Sequence, residues 1–190
     1  SEIIGAQPIR GRHINMESLY EYGSKRGFWR LHDLFQEKKI PITIFGVAMA
    51  LDRNPEVCNA IKNSNYEVAC HGWRWIDYQK IKKSVEKKHM DLAIKTMKKI
   101  FGQRPLGWYT GRCSPNTRDL VMSEGGFLYD SDSYSDDLPY WEKRGKKKQL
   151  IIPYTLDNND MRFATNQGFN CGDQFFNYLK DSFDVLYKEG

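Results

Sequence analysis

The chain has 190 residues, 40% of them hydrophobic and 28% charged, with a formal net charge of +5. That length suits one domain with a real core, and the balance is that of an ordinary globular protein rather than a fibrous or disordered one. The longest apolar run, residues 42–51, is far too short to span a bilayer, no GxGxxG or GxxxxGK(S/T) phosphate loop occurs, and no nucleic-acid reading motif accompanies the lysines.

In chain order, residues 1–16 carry Gly5, Pro8 and Gly11 and read as an irregular arm. From Glu17 to Lys38 the spacing of Phe28, Leu31, Leu34 and Phe35 predicts a helix, ended by Pro41. Residues 42–47 form a buried strand. Asn54 is the N-cap of the next helix and Pro55 its first residue; that helix ends near Asn63, and Tyr66 to Cys70 is a second strand. A long amphipathic helix is expected from about Tyr78 to Ile100, stopped by Gly102. A short strand, Leu106 to Tyr109, leads into a Gly111–Pro115 loop. Asn116 to Glu124 is a helix closed by Gly125-Gly126, and Phe127 to Tyr129 a strand opening into the acidic stretch 130–137. Lys143 to Lys148 reads as a solvated basic loop, Gln149 to Tyr154 as a strand, and Phe175 to Tyr187 as the final helix. Alternating strands and helices call for an α/β fold built on a parallel sheet, either open or closed into a barrel. The four cysteines, 58, 70, 113 and 171, are widely spaced without a CxxC pair, which favours free thiols in a reducing, cytoplasmic setting.

Polar clusters follow four of these strands: His71, Arg112, the acidic run from Asp130 to Asp137, and Asp157 to Asp160. Parallel strands would bring them to one face. A histidine passes protons near neutral pH or polarises a carbonyl. An arginine offers a planar fork to a developing oxyanion. A carboxylate activates water or orients the other two. Trp73, Trp75 and Trp108 are candidate walls for a flat, polar ring. The plain alternatives are a strand-end histidine and an arginine paired with Asp130 or Asp132 to hold a loop. His89 is expected on the surface of its helix, His32 in a structural role, and Cys113 as a packing residue.

The segments 15–24 (NMESLYEYGS), 70–75 (CHGWRW), 107–112 (GWYTGR), 129–141 (YDSDSYSDDLPYW), 155–163 (TLDNNDMRF) and 168–170 (GFN) resemble the polysaccharide deacetylase (NodB-homology) superfamily, and more narrowly its metal-independent allantoinase branch. The resemblance implies a deformed (β/α) barrel over a single domain, residues 1–190, and hydrolysis of a carbon–nitrogen bond other than a peptide bond. In the metal-dependent branch a His-Ser-x-x-His motif supplies two ligands. His71 matches the first and Trp75 stands at the second, and an indole N–H is a donor that cannot ligate a cation. No catalytic metal and no cofactor are therefore expected. His71 and Arg112 would stabilise the oxyanion, a carboxylate from the family's upstream acidic motif or from Asp136 or Asp137 would serve as base, and Tyr22, Trp73, Trp75, Trp108 and Tyr140 would contact a small polar substrate, an allantoin-like ring or an acetylated sugar. The match also implies that the chain is the middle of a longer protein lacking the first barrel strand, and a homo-oligomer. A metal-dependent carbohydrate N-deacetylase and an inert, oligomerising fragment are the rival readings.

Overall fold

A computed structural model describes residues 11–190, so Gly5 and Pro8 of the expected arm lie outside the described residues. From Ile14 the chain is already helical. Helix α1 (Ile14–Tyr22) starts where His13 Nδ1 accepts the Met16 N–H at 3.3 Å. It runs through one wide turn, Gly23–Gly27, into α2 (Phe28–Lys38), which Lys39 closes in the left-handed conformation. Helices α3 (Ala48–Asp52) and α4 (Pro55–Lys62) follow the first strand. Asn54 caps α4 by accepting the Val57 N–H at 3.2 Å, with Pro55 in the first turn as the sequence requires.

Six strands form one sheet: β1 (Thr43–Gly46), β2 (Glu67–Cys70), β3 (Gly107–Trp108), β4 (Tyr129–Asp130), β5 (Tyr140–Arg144) and β6 (Lys147–Ile151), in the order β1-β2-β3-β4-β6-β5. All neighbours are parallel except β5 and β6, an antiparallel hairpin at one edge. The sheet is open, with β1 and β5 at its margins. The hairpin corrects the solvated-loop reading of Lys143 to Lys148. Both arms are strands, turning at Gly145 (φ 60°), and their charges mark an edge rather than a loop.

Register divides the strands into two faces. Ile44, Val68, Cys70 and Trp108 point to the side covered by α3, α4, α5 (Lys83–Phe101) and α6 (Thr117–Glu124), where they meet Ile61, Met90, Met97, Val121 and Phe127 in the main core. Each such large side chain contributes about 1.5–3 kcal/mol by leaving water. Helix α5 begins later than its pattern suggests, because residues 73–82 form a looped approach tied down by Tyr78 rather than a first helical turn. Gly107 on β3 has no room for a side chain, since a Cβ there would overlap the Tyr129 ring of the neighbouring strand. Helix α7 (Gly172–Glu189) packs one side against the loops that follow β6 and leaves Phe176, Phe183 and Tyr187 exposed. Among the described residues, no helix is long and apolar enough to cross a membrane.

Candidate active site

Hydrogen bonding continues one residue beyond the parallel strands. His71 N–H donates to Gly46 O at 2.9 Å, Tyr109 N–H to Cys70 O at 2.9 Å, Ser131 N–H to Trp108 O at 2.8 Å and Ile152 N–H to Asp130 O at 3.1 Å. These residues therefore form a common rim at the carboxyl ends of the strands, the usual place for chemistry in a β/α fold.

Two of the residues singled out from the sequence share one indole there. The His71 imidazole meets Trp75 edge-on, with ring centroids 6.2 Å apart, and the Arg112 guanidinium lies over the same indole at 5.2 Å. On its other side His71 touches Tyr109 at 5.1 Å. Its Nδ1 is buried with no hydrogen-bond partner. Burial holds His71 below the usual histidine pKa, against an opposing pull from Asp132. At neutral pH the ring is thus uncharged, able to accept a proton or to polarise a carbonyl.

The Arg112 loop is held by Asp132. Its carboxylate accepts the Thr110 N–H at 3.0 Å, the Gly111 N–H at 2.8 Å and the Thr110 hydroxyl at 3.1 Å. Gly111 sits at φ 67°, and a Cβ there would come within 2.9 Å of the Tyr109 hydroxyl, so only glycine lets the loop turn against that ring. Behind the loop, fully buried Asp130 forms an ion pair with Arg118 of α6, which also reaches Glu142 at 3.2 Å. Burial pushes the Asp130 carboxyl up to about 7, with Arg118 opposing. Arg118 of α6 is thus a charged partner of Asp130 that the sequence did not indicate. Cys113 lies 3.4 Å from the Thr110 hydroxyl, and burial raises its thiol far above the range of a neutral-pH nucleophile.

A second aromatic layer continues outward. Tyr154 stacks on Tyr109 at 4.5 Å, Phe45 contacts both, and the Tyr109 hydroxyl lies 3.2 Å from that of Tyr134. Beyond it opens a groove of about 870 Å³ between the acidic loop and α7, lined by Tyr134, Asp136, Asp137, Tyr154, Asp157 and Tyr178 among others. Asp136 and Asp137 are exposed on this groove, whose Tyr154 wall stacks on the Tyr109 ring that touches His71. Tyr140 fixes the same loop through hydroxyl contacts to Ser133 at 2.9 Å and Ser135 at 3.2 Å.

Other expectations fall elsewhere. Trp108 is 2% exposed and packs on Phe127 in the main core, so it is not a substrate wall. The ring one residue on, Tyr109, faces the rim because side chains alternate along a strand. Trp73 is half-buried against the core. Tyr22 is exposed on α1, where its hydroxyl accepts from Arg30 at 2.8 Å. His89 is half-buried rather than a surface residue, its Nδ1 3.0 Å from the Tyr78 hydroxyl. Asp132 was named from the sequence only as a possible loop-holding partner, and Tyr109, Tyr154 and Arg118 were not singled out. Strand alternation carried a signal for Tyr109; nothing local marked Arg118. As for a metal, no three His, Cys, Asp or Glu side chains converge among the described residues, and an indole occupies the position beside His71, so the residues present do not make a cation site.

The polysaccharide deacetylase family model matches residues 15–123. A Schizosaccharomyces pombe protein described as "Putative polysaccharide deacetylase" is 41% identical over 200 residues, covering 97% of this chain and 62% of that protein. A crystal structure of a "probable Polysaccharide deacetylase" from Pseudomonas aeruginosa PAO1 superimposes with a TM-score of 0.94 at 59% identity, covering 100% of this chain and 64% of the other. The structure titled "Puue Allantoinase" gives 0.93 at 57% identity, covering 98% and 63%. The chain thus spans a little under two thirds of the length of these relatives.

Proposed function

We propose that this chain, which belongs to the polysaccharide deacetylase family, serves to hydrolyse a carbon–nitrogen bond in a small cyclic amide, in the manner of an allantoinase. The observation that carries the reading is the convergence of His71 and Arg112 on Trp75 at the strand rim. The 57% identity to a chain titled allantoinase supports the substrate class.

In this reading water attacks the ring carbonyl. Arg112, braced by the indole and by the Asp132-held loop, stabilises the oxygen as it gains negative charge. His71, kept neutral by burial, polarises the carbonyl or moves the proton needed by the leaving nitrogen. Asp136 and Asp137 on the adjoining groove are the candidate water-activating carboxylates. Trp75 beside His71 and Tyr140 against the acidic loop are the candidate substrate contacts, and no metal or cofactor enters. A homo-oligomer is supported by the exposed rings of α7, and a cytoplasmic setting by the four unbridged cysteines.

Incubation of the full-length protein with allantoin, following allantoate, tests the assignment. Turnover is expected in chelator-treated enzyme. Turnover of N-acetylated sugars with none of allantoin would overturn it in favour of a carbohydrate deacetylase.

A further inference from the structure

We propose that Tyr78, anchored through its hydroxyl to His89, is a positioning residue that sets the spacing between the His71 turn and the Arg112 loop.

Tyr78 belongs to neither loop's tip, yet both close on it. Its backbone N–H donates to Arg112 O at 3.1 Å. Its hydroxyl lies beneath the His71–Gly72 turn, where a Cβ added to Gly72 would come to 4.0 Å from it and to 3.8 Å from the Thr110 methyl. The ring is 3% exposed and meets the His89 imidazole edge-on at 5.9 Å, with the hydroxyl 3.0 Å from Nδ1. His89 stands on α5 one residue before Met90, which is 2% exposed in the main core. The stretch 73–82, which carries Trp75, is thus pinned at Tyr78 to a rigid helix on one side and to the Arg112 backbone on the other.

The groups around the pair keep both partners uncharged near neutral pH. Burial, then Glu86, raises the Tyr78 phenol to about 12, so it stays protonated. Burial, then Arg74 and Lys88, holds His89 below the usual histidine pKa, so the ring stays neutral and the bond joins two uncharged groups. A buried tyrosine with a satisfied hydroxyl can be a packing device alone. What separates the two roles is that His71 and Arg112 would move relative to each other when the anchor is cut.

This inference rests on His71 and Arg112 being the reacting pair, so the test has a second readout that needs no turnover. In the full-length protein, Y78F and H89L remove the anchor and H89Q keeps a side-chain acceptor. Expected are a kcat lowered about 10-fold in Y78F and H89L with KM nearly unchanged, recovery in H89Q, and no further loss in the double variant Y78F/H89L. Nuclear magnetic resonance should show the Trp75 indole N–H and the Arg112 loop amides shifted in Y78F and H89L and near their parent positions in H89Q. If the parent turns over neither substrate class, the functional reading fails while the resonances still judge the spacing. Unchanged Trp75 and Arg112 signals in a folded Y78F, or in H89L should Y78F not fold, would overturn the proposal. So would H89Q behaving like H89L.

Discussion

The Arg112 guanidinium rests on the Trp75 indole, 5.2 Å from its centre, on a ring that His71 also touches. A planar cation on an aromatic face gains about 0.5–2 kcal/mol and is fixed in orientation. Lysine keeps the charge but loses the plane and the fork. R112K should therefore lower kcat at least about 10-fold while leaving the midpoint of thermal unfolding little changed, read by steady-state kinetics beside circular dichroism.

Replacing His71 tests both chemistry and linkage. H71Q should cost about 10²–10⁴-fold in kcat/KM if the imidazole moves a proton in the reaction. Burial lowers the His71 pKa in the folded state, whereas the unfolded chain titrates near the ordinary value of about 6.5. As pH falls below that value the unfolded state binds the proton first, so His71 detracts from stability in acid and not above neutrality. Urea unfolding at pH 7.5 and pH 5 should show the parent losing stability relative to H71Q on acidification; a constant difference would contradict the assigned shift.

The Asp130–Arg118 pair lies behind the Arg112 loop, and Asp130 is 0% exposed. Removing one partner strands the other charge. R118M should cost about 3–5 kcal/mol in denaturant unfolding, and adding D130N should recover part of that loss. Because Arg118 also donates to the Asp132 backbone oxygen at 3.0 Å, the single variant should weaken activity as well.

Gly111 is required by geometry. G111A combines an unfavourable positive φ with a contact of 2.9 Å to the Tyr109 hydroxyl, and should destabilise by more than about 1 kcal/mol. Y109F removes the contacted oxygen and should return part of the cost, measured as a double-mutant cycle.

Particular residues explain how much of this was legible in the sequence. Asn54-Pro55 announced a helix start because capping is local, and the caps hold. The alternation of strands and helices gave the parallel sheet, and the residues just after β2 and β3 gave His71 and Arg112, since strand ends are where polar groups must go. Trp108 was misplaced because an isolated aromatic beside glycine does not reveal which face of a two-residue strand it takes. The neighbouring strands settle that, and they put Tyr109 at the rim instead. The β5–β6 hairpin was hidden by its own lysines, because an edge strand and a solvated loop share that composition. Arg118 was invisible for a different reason. Its role exists only between α6 and the end of β4, through contacts that no local pattern encodes.

The close approach of β3 to β4 at Gly107 ties the histories of two positions. The Tyr129 phenol occupies the volume that any larger residue at 107 would need, and its hydroxyl is spent on Glu67 of β2 at 2.9 Å. An alanine at 107 is therefore admissible only in descendants that have already traded the phenol for something slimmer, with the exposed Glu67 left to the Thr43 hydroxyl and to water. Substitutions here should arrive as linked sets, in a fixed order.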